Sequence, residues 1–231
     1  MLGYARRCIE NGGIPRPGES TSMSKRQSHV EDPVRPRYRG VALDERRTLR
    51  RDRLITAAAD LYGEHGYRSV TVRMICQRAG LTERYFYESF ATSEEILVVA
   101  ARTLARQTLD RMRYRSETTP GDRDAKTIRM LKGYYRSQLD EPSKARVFTL
   151  EFRGISAAAD AEFECILDLF ADLLVETRDP MRRGRAANDA LVRRGLVGGI
   201  LAITVAWIEG GYREPIDRVV DAATYLCRIA D

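Results

Sequence analysis

Between Asp44 and Gly66, apolar residues return every three to four positions: Leu54, Ile55, Ala58, Leu61 and Tyr62 share one face. That spacing predicts an amphipathic helix. Gly66 ends it, and Tyr67 can fold back on the last turn. A short second helix follows, with Thr71 as N-cap, Val72, Ile75 and Ala79 on one side, and Gly80 as its stop. Leu81 fills the turn and Thr82 caps a third helix, TERYFYESF, with Phe86 inward, Tyr85 and Tyr87 on its flanks, and Phe90 closing the unit. Thr92 with Glu95 forms a capping box that opens a fourth. Helical spacing continues over about 93–113, 123–139, 142–153, 157–177, 187–209 and 215–229, with Pro142 and Pro215 where a first turn tolerates proline. No alternating strand pattern or internal repeat competes, so the fold class is all-α.

Residues 1–40 carry Gly12, Gly13, Pro15, Pro17, Gly18, Pro33, Pro36 and Gly40 without any period. We read 1–43 as a disordered basic extension. It lacks the apolar core of a signal peptide, and Met23 is an alternative start for translation. Charge changes the picture here. Residues 1–55 hold 13 Lys/Arg against 7 Asp/Glu, whereas residues 56–231 hold 26 against 26. The whole basic excess lies in the N-terminal quarter, which suits a polyanion such as nucleic acid or, equally, a solubilising tail.

Composition narrows the class. The chain of 231 residues is 43% apolar and 31% charged, as a globular protein is. No stretch reads as a run of ~18 apolar residues, the length of a membrane span. Cys8, Cys76, Cys165 and Cys227 are far apart, without metal-ligand spacing. With only His29 and His65, no catalytic triad, metal set or phosphate loop suggests itself. An enzyme is therefore not expected, nor is a cofactor or a metal. Cys76 and Cys165 read as small buried hydrophobes.

Residues 71–89 form helix, glycine turn, helix. Ala79 must be small where the two helices cross, and Gly80 supplies a positive φ. The third helix then presents Thr82, Glu83, Arg84, Tyr85 and Tyr87, and a helix end of that size fits the major groove of B-DNA.

The stretch LITAAADLYGEHGYRSVTVRMICQRAGLTERYFYESFATSEEIL, 54–97, resembles the tetracycline-repressor (TetR) family of bacterial regulators. The Gly66-Tyr67 helix end, TVRMI, AGLT, YFYESF and SEEIL all fall in register. The resemblance implies a three-helix DNA-binding domain over 44–92 and a helical ligand-binding and dimerisation domain over 93–231. It implies phosphate contacts from Thr71 and Arg73, base or backbone contacts from Thr82, Arg84 and Tyr85, and a phosphate contact from the Tyr87 hydroxyl. Arg46, Arg47, Arg50 and Arg51 would add contacts from the first helix. Glu83 would accept from a cytosine amino group or cap its helix. The family commonly has lysine where this chain has Ser93, so that phosphate contact is weakened or lost.

Two further sets follow. Gly195, Gly198, Gly199, Ala202 and Ala206 recur at three- and four-residue spacing, and the last helix offers Ile216, Val219, Val220, Ala223, Leu226 and Cys227. We expect these two helices to pair with a second copy, although internal packing would use the same residues. Met130, Tyr134, Tyr135, Phe148, Phe152, Phe163, Phe170 and Trp207 are core candidates by spacing. The resemblance makes Met130, Tyr134, Phe148, Phe152, Phe170 and Trp207 candidates for an effector cavity, with Glu151 as polar anchor. The sequence thus points to a dimeric, cytoplasmic, sequence-specific DNA-binding regulator. It would be a repressor released from a palindromic operator by a small apolar or aromatic effector. The alternative is a constitutive DNA-binding protein without an effector.

Overall fold

A computed structural model describes residues 38–181 and 189–230. The N-terminal extension, with Met23, Cys8 and His29, lies almost wholly outside the described residues. Nine α-helices are described: α1 (Tyr38–His65), α2 (Val72–Ala79), α3 (Glu83–Tyr87), α4 (Ser93–Thr118), α5 (Arg123–Asp140), α6 (Pro142–Arg146), α7 (Ala157–Arg178), α8 (Ala190–Glu209) and α9 (Ile216–Ile229). No strand occurs among the described residues. The fold is all-α, as the periodicity requires. The first helix starts at Tyr38, ahead of Asp44, and α4 runs a full turn past its expected end.

The caps explain the boundaries. The Met74 amide donates to the Thr71 hydroxyl at 3.3 Å, and the Glu95 amide to the Thr92 hydroxyl at 3.1 Å. The Glu95 carboxylate reaches one residue beyond the N-cap and accepts from the Ala91 amide at 2.6 Å, a variant of the expected box. Asp122, Ser156 and Asp189 cap α5, α7 and α8 in the same way. The expected helix over 142–153 differs from the observed one. Only Pro142–Arg146 is α-helical, and Val147–Glu151 widens into a π-helical turn. Apolar spacing cannot separate an i+5 from an i+4 ladder over so short a stretch.

Two apolar clusters fill the molecule. The first joins α1, α2, α3 and the start of α4 to Val147, Phe152, Phe163 and Ile166. It therefore crosses the expected boundary at residue 92 without a break. Glycine makes one part of this join possible. A Cβ on Gly63 of α1 would penetrate the Ser143 carbonyl and lie 2.7 Å from Ser143 Cα. Helix α6 thus rests directly on α1, backbone to backbone. The second cluster lies among α4, α5, α7, α8 and α9, with Met130, Tyr135, Leu174, Trp207, Val220 and Cys227 at its centre. Phe170 packs against both clusters.

Helix α8 corrects one expectation. By length and composition Ala190–Glu209 is long and apolar enough to cross a membrane, with a mean hydropathy of 1.6 over its best window. Arg193 and Arg194 near its start hid this in the sequence. Leu196, Val197, Ile200, Trp207 and Ile208 are buried against the chain, while Leu191, Gly195, Ala202 and Ala206 are exposed.

Candidate DNA-reading face and effector cavity

The reading unit is built on the turn between α2 and α3. Gly80 sits at φ 62°, ψ 40°, a left-handed conformation that costs a residue with a Cβ about 1–2 kcal/mol. From there the Gly80 amide donates to Gln77 O at 3.2 Å and the Leu81 amide to Cys76 O at 2.9 Å. These two bonds close α2 and aim α3 away from it. Phe86 is fully buried and packs against Phe90 at 5.8 Å between ring centroids, so α3 cannot roll. The opposite face is left to solvent. Thr82, Glu83, Arg84 and Tyr87 are exposed, Tyr87 at 60%, and Thr71 and Arg73 are exposed at the start of α2. The Thr82 hydroxyl makes no capping bond, which leaves it available.

The structure brings α1 to the same face. The Arg50 guanidinium lies 4.5 Å from the centre of the Tyr85 ring, and Arg51 stacks on Phe90 at 4.8 Å. Arg47 donates to the Glu88 carbonyl at 3.3 Å, beside the C-terminal end of α3. Arg46 is exposed on the same helix. Arg84 is paired with Glu88 at 2.9 Å, an exposed contact of the kind worth ~0–1 kcal/mol. That pair yields readily to a stronger partner. Sequence reasoning missed Arg53, which donates to the Ala79 carbonyl at 2.5 Å and covers Gly80, so it braces the turn itself. At Ser93 the backbone carbonyl accepts from the buried Tyr62 hydroxyl at 3.1 Å, a bond that does not depend on the side chain there. Burial pushes the Cys76 thiol pKa up, with Glu83 adding to it, which suits a packing role.

Two cavity lobes lie in the body. The outer one, about 40 Å³, is lined by Leu104, Thr108, Arg111, Tyr134, Gln138 and Lys144 among others. The inner one, about 30 Å³, is lined by Met112, Leu131, Leu167, Leu174, Val197 and Ile200 among others. Tyr134, Phe148 and Phe170 line both and form the partition between them. Their rings are in edge and tilted contact, Tyr134 to Phe170 at 6.3 Å and Phe148 to Phe170 at 6.1 Å. The Tyr134 hydroxyl meets the Thr204 hydroxyl at 3.3 Å, and burial pushes its pKa up to about 12, so it stays protonated.

Of the expected cavity residues, Tyr134, Phe148 and Phe170 line the lobes. Met130, Phe152 and Trp207 are buried in the two apolar clusters and line neither lobe. The Trp207 indole donates to the Glu214 carbonyl at 2.8 Å instead. Glu151 lies on the π-helical turn and accepts from the Tyr67 amide at 2.9 Å, so its carboxylate faces the reading unit. The polar lining was missed. Thr108 and Arg111 on α4, and Ser137 and Gln138 on α5 with Glu141 at its C-cap, lie at helical intervals from one another and from Tyr134. That spacing was the available signal.

The expected dimer residues divide as well. Gly195, Ala202 and Ala206 are exposed, and Gly198 and Gly199 are half-buried. Val219 and Ala223 are buried in the chain's own core, and Leu226 packs over Gly199. The outward face of α9 is instead Ala222, Tyr225 and Ile229, with the last two each 63% exposed.

A glycine-turned helix pair, an exposed arginine–tyrosine helix and an adjoining basic helix define a helix-turn-helix DNA-binding protein. Residues 54–106 match the family model for bacterial regulatory proteins of the tetR family. The matched segment spans α2, α3, the end of α1 and the first half of α4, so this part of the chain resembles the DNA-binding segment of that family. A search of characterised proteins finds no significant match. Among solved structures, the fatty acid degradation regulator FadR from Bacillus halodurans aligns with a TM-score of 0.65 at 20% identity, over 76% of this chain and 96% of its own. FadR from Bacillus subtilis, solved in complex with stearoyl-CoA, aligns at 0.64 and 18%, over 76% and 96%. A tetR-family regulator from Streptomyces coelicolor aligns at 0.59 and 18%, over 78% of both chains. At such identities these likenesses show the shared fold.

Proposed function

We propose that the chain is a dimeric, sequence-specific repressor that leaves a palindromic operator in the cytoplasm when a small effector enters the lobes behind α4. The observation that carries this is the exposed face of α3, with Arg84 and Tyr87 free of the core that fixes Phe86. Residues 44–92 would do the reading, and 93–231 would bind effector and partner. One short helix reads few bases. Two copies related by a two-fold axis would read half-sites about one turn, roughly 34–36 Å, apart. The exposed small residues of α8 and the Tyr225–Ile229 face of α9 would supply the partner surface.

The effector would be an amphiphile more than a purely apolar compound. The inner lobe offers hydrocarbon, and the outer lobe offers Arg111, Gln138 and Lys144. The stearoyl-CoA bound by the Bacillus subtilis relative is a molecule of that general character. Insertion has to part Tyr134, Phe148 and Phe170. Only a difference in effector affinity between the bound and released forms can drive the change.

Selecting operator sequences from a random duplex pool with the purified full chain tests the reading. A palindrome is expected, with affinity falling steeply as salt rises. On that operator Arg84→Ala should cost ~1–3 kcal/mol at one base position and relax preference there. Tyr87→Phe should weaken all sequences alike. A chain that stays monomeric and retains no duplex at low salt refutes the proposal.

A further inference from the structure

Away from both sites, the surface between α4, α5 and the start of α9 holds an open groove of about 210 Å³. It is lined by Arg115, Arg129, Lys132, Gly133, Arg136 and Ile216. Residues 129, 132, 133 and 136 share one face of α5 by the helical repeat, so three cations line one wall. Arg115 reaches across from α4 and lies flat on Gly133. A Cβ there would penetrate its side chain and stand 3.0 Å from Cζ. The missing side chain thus seats the guanidinium in the groove floor.

Several arginines elsewhere in this body are neutralised. Arg102 is held by Glu162 at 2.7 Å, Arg113 by Glu176 at 3.2 Å, and Arg193 by Asp172 at 2.6 Å. Residues 56–231 are neutral in sum, with 26 basic against 26 acidic side chains. In the groove, Lys132 pairs with Asp217 at 2.6 Å and Arg136 with Asp140 at 3.4 Å. Arg115 and Arg129 make no ion pair with a described residue. A neutral body has therefore been divided so that two unneutralised guanidinium groups converge on one concavity. Two further cations there are held only by exposed carboxylates.

We propose that this groove binds a compact small molecule bearing two or more phosphates. Its volume is below the ~300–1,000 Å³ of drug-sized ligand sites, which suits a compact ligand. Guanidinium groups match phosphate oxygens in pairs, and arginine keeps its charge at any physiological pH. Ile216 supplies one apolar contact, suited to the ring of a nucleotide. The site is separate from the effector lobes and from α3, and does not depend on what either does.

The test is calorimetric titration of the full chain at fixed ionic strength with tripolyphosphate, ATP and orthophosphate. Saturable binding of tripolyphosphate, one per chain, is expected. The double variant Arg115→Ala/Arg129→Ala should weaken it about ten-fold or more. Gly133→Ala keeps every charge but lifts Arg115 from its seat, and should weaken it by a smaller factor. Arg73→Ala/Arg84→Ala, on the reading face, should leave it unchanged. Tighter binding of ATP than of tripolyphosphate identifies a nucleotide, and equal binding identifies the phosphates alone as the determinant; both support the site. Absence of saturable binding overturns it, as does equal affinity for orthophosphate. So does a loss of affinity that follows Arg73 and Arg84 while the groove variants bind normally.

Discussion

Replacing Gly63 by alanine tests how α6 is seated on α1. In an open helix interior the change is favourable, since alanine exceeds glycine in helix propensity by ~1 kcal/mol. Here the new Cβ would overlap the Ser143 carbonyl and lie 2.7 Å from Ser143 Cα, all backbone atoms that no rotamer change can move. Ordinary carbon contacts are ~3.5–4.0 Å. Helices α1 and α6 must therefore separate, opening the cluster around Tyr62, Val147 and Phe152. Overpacking of this kind costs ~1–3 kcal/mol and at times more. Because the Gly63 contact is to rigid backbone, the upper part of that range applies, and ~2 kcal/mol should remain after the propensity gain. For a chain of this size that is a fall in melting temperature of about 4–8 °C. Circular dichroism melts at matched protein concentration would measure it. Gly195→Ala is the control, because its Cβ meets nothing within 4 Å in the single chain. A Gly63→Ala protein that melts at or above the wild-type temperature would show that the close approach does not exist.

The Gly195→Ala control carries its own expectation. The monomer should gain ~1 kcal/mol in helix propensity, while sedimentation should show a weaker dimer if α8 meets a partner closely; unchanged association would remove Gly195 from the interface. Arg53→Met should cost ~1.5–3 kcal/mol for a part-buried charged bond, read as a lower urea midpoint at constant m, and weaken operator binding by loosening the turn at Ala79. Wild-type operator affinity in that variant would deny Arg53 any bracing role. The Tyr135 hydroxyl is fully buried and meets no hydrogen-bond geometry with a partner among the described residues, so Tyr135→Phe should be neutral or stabilising by up to ~1 kcal/mol. A marked drop in its melting temperature would mean that the hydroxyl has a partner. Asp124 is held below the ordinary carboxylate pKa by hydrogen bonds first from Arg178 and then from Arg228. Its lowered folded pKa gives stability that is present above the unfolded value, ~3.9, and lost as pH falls through the folded one. Asp124→Asn should therefore melt lower than wild type at neutral pH, with the gap closing in strong acid. A gap independent of pH would point to geometry, not charge.

Helix order was legible in the sequence because each helix carries its own punctuation. Thr71, Thr92, Pro142 and the glycines at 66 and 80 act within a few residues of where they stand. The exposed face of α3 was legible for the same reason, since half a turn away from Phe86 is outward whatever else the chain does. The cavity was only half legible. Tyr134 and Trp207 have equal aromatic character and lie on helices of similar apolarity. One lines a void and the other meets Tyr135 and Tyr212 across edges at 5.7 and 5.0 Å. Which occurs depends on what the neighbouring helix presents, and no local pattern holds that information. The α9 face was misplaced for a related reason. Its apolar stripe is broad enough to cover both a core and an outer surface, and Val219 and Ala223 were needed inside. Arg53 escaped notice because a long exposed cation has no periodic signature, and its target is a carbonyl.

The unbroken apolar cluster running from α1 through α4 into the π-helical turn bears on how this regulator could be re-engineered. Its reading head is not a cassette. Cutting at residue 92 and grafting the first three helices onto a foreign body would strip Ile96, Leu97, Val147 and Phe152 from their neighbours. Chimeras meant to redirect the protein to new promoters would have to carry the far side of that seam along with the helices that touch DNA.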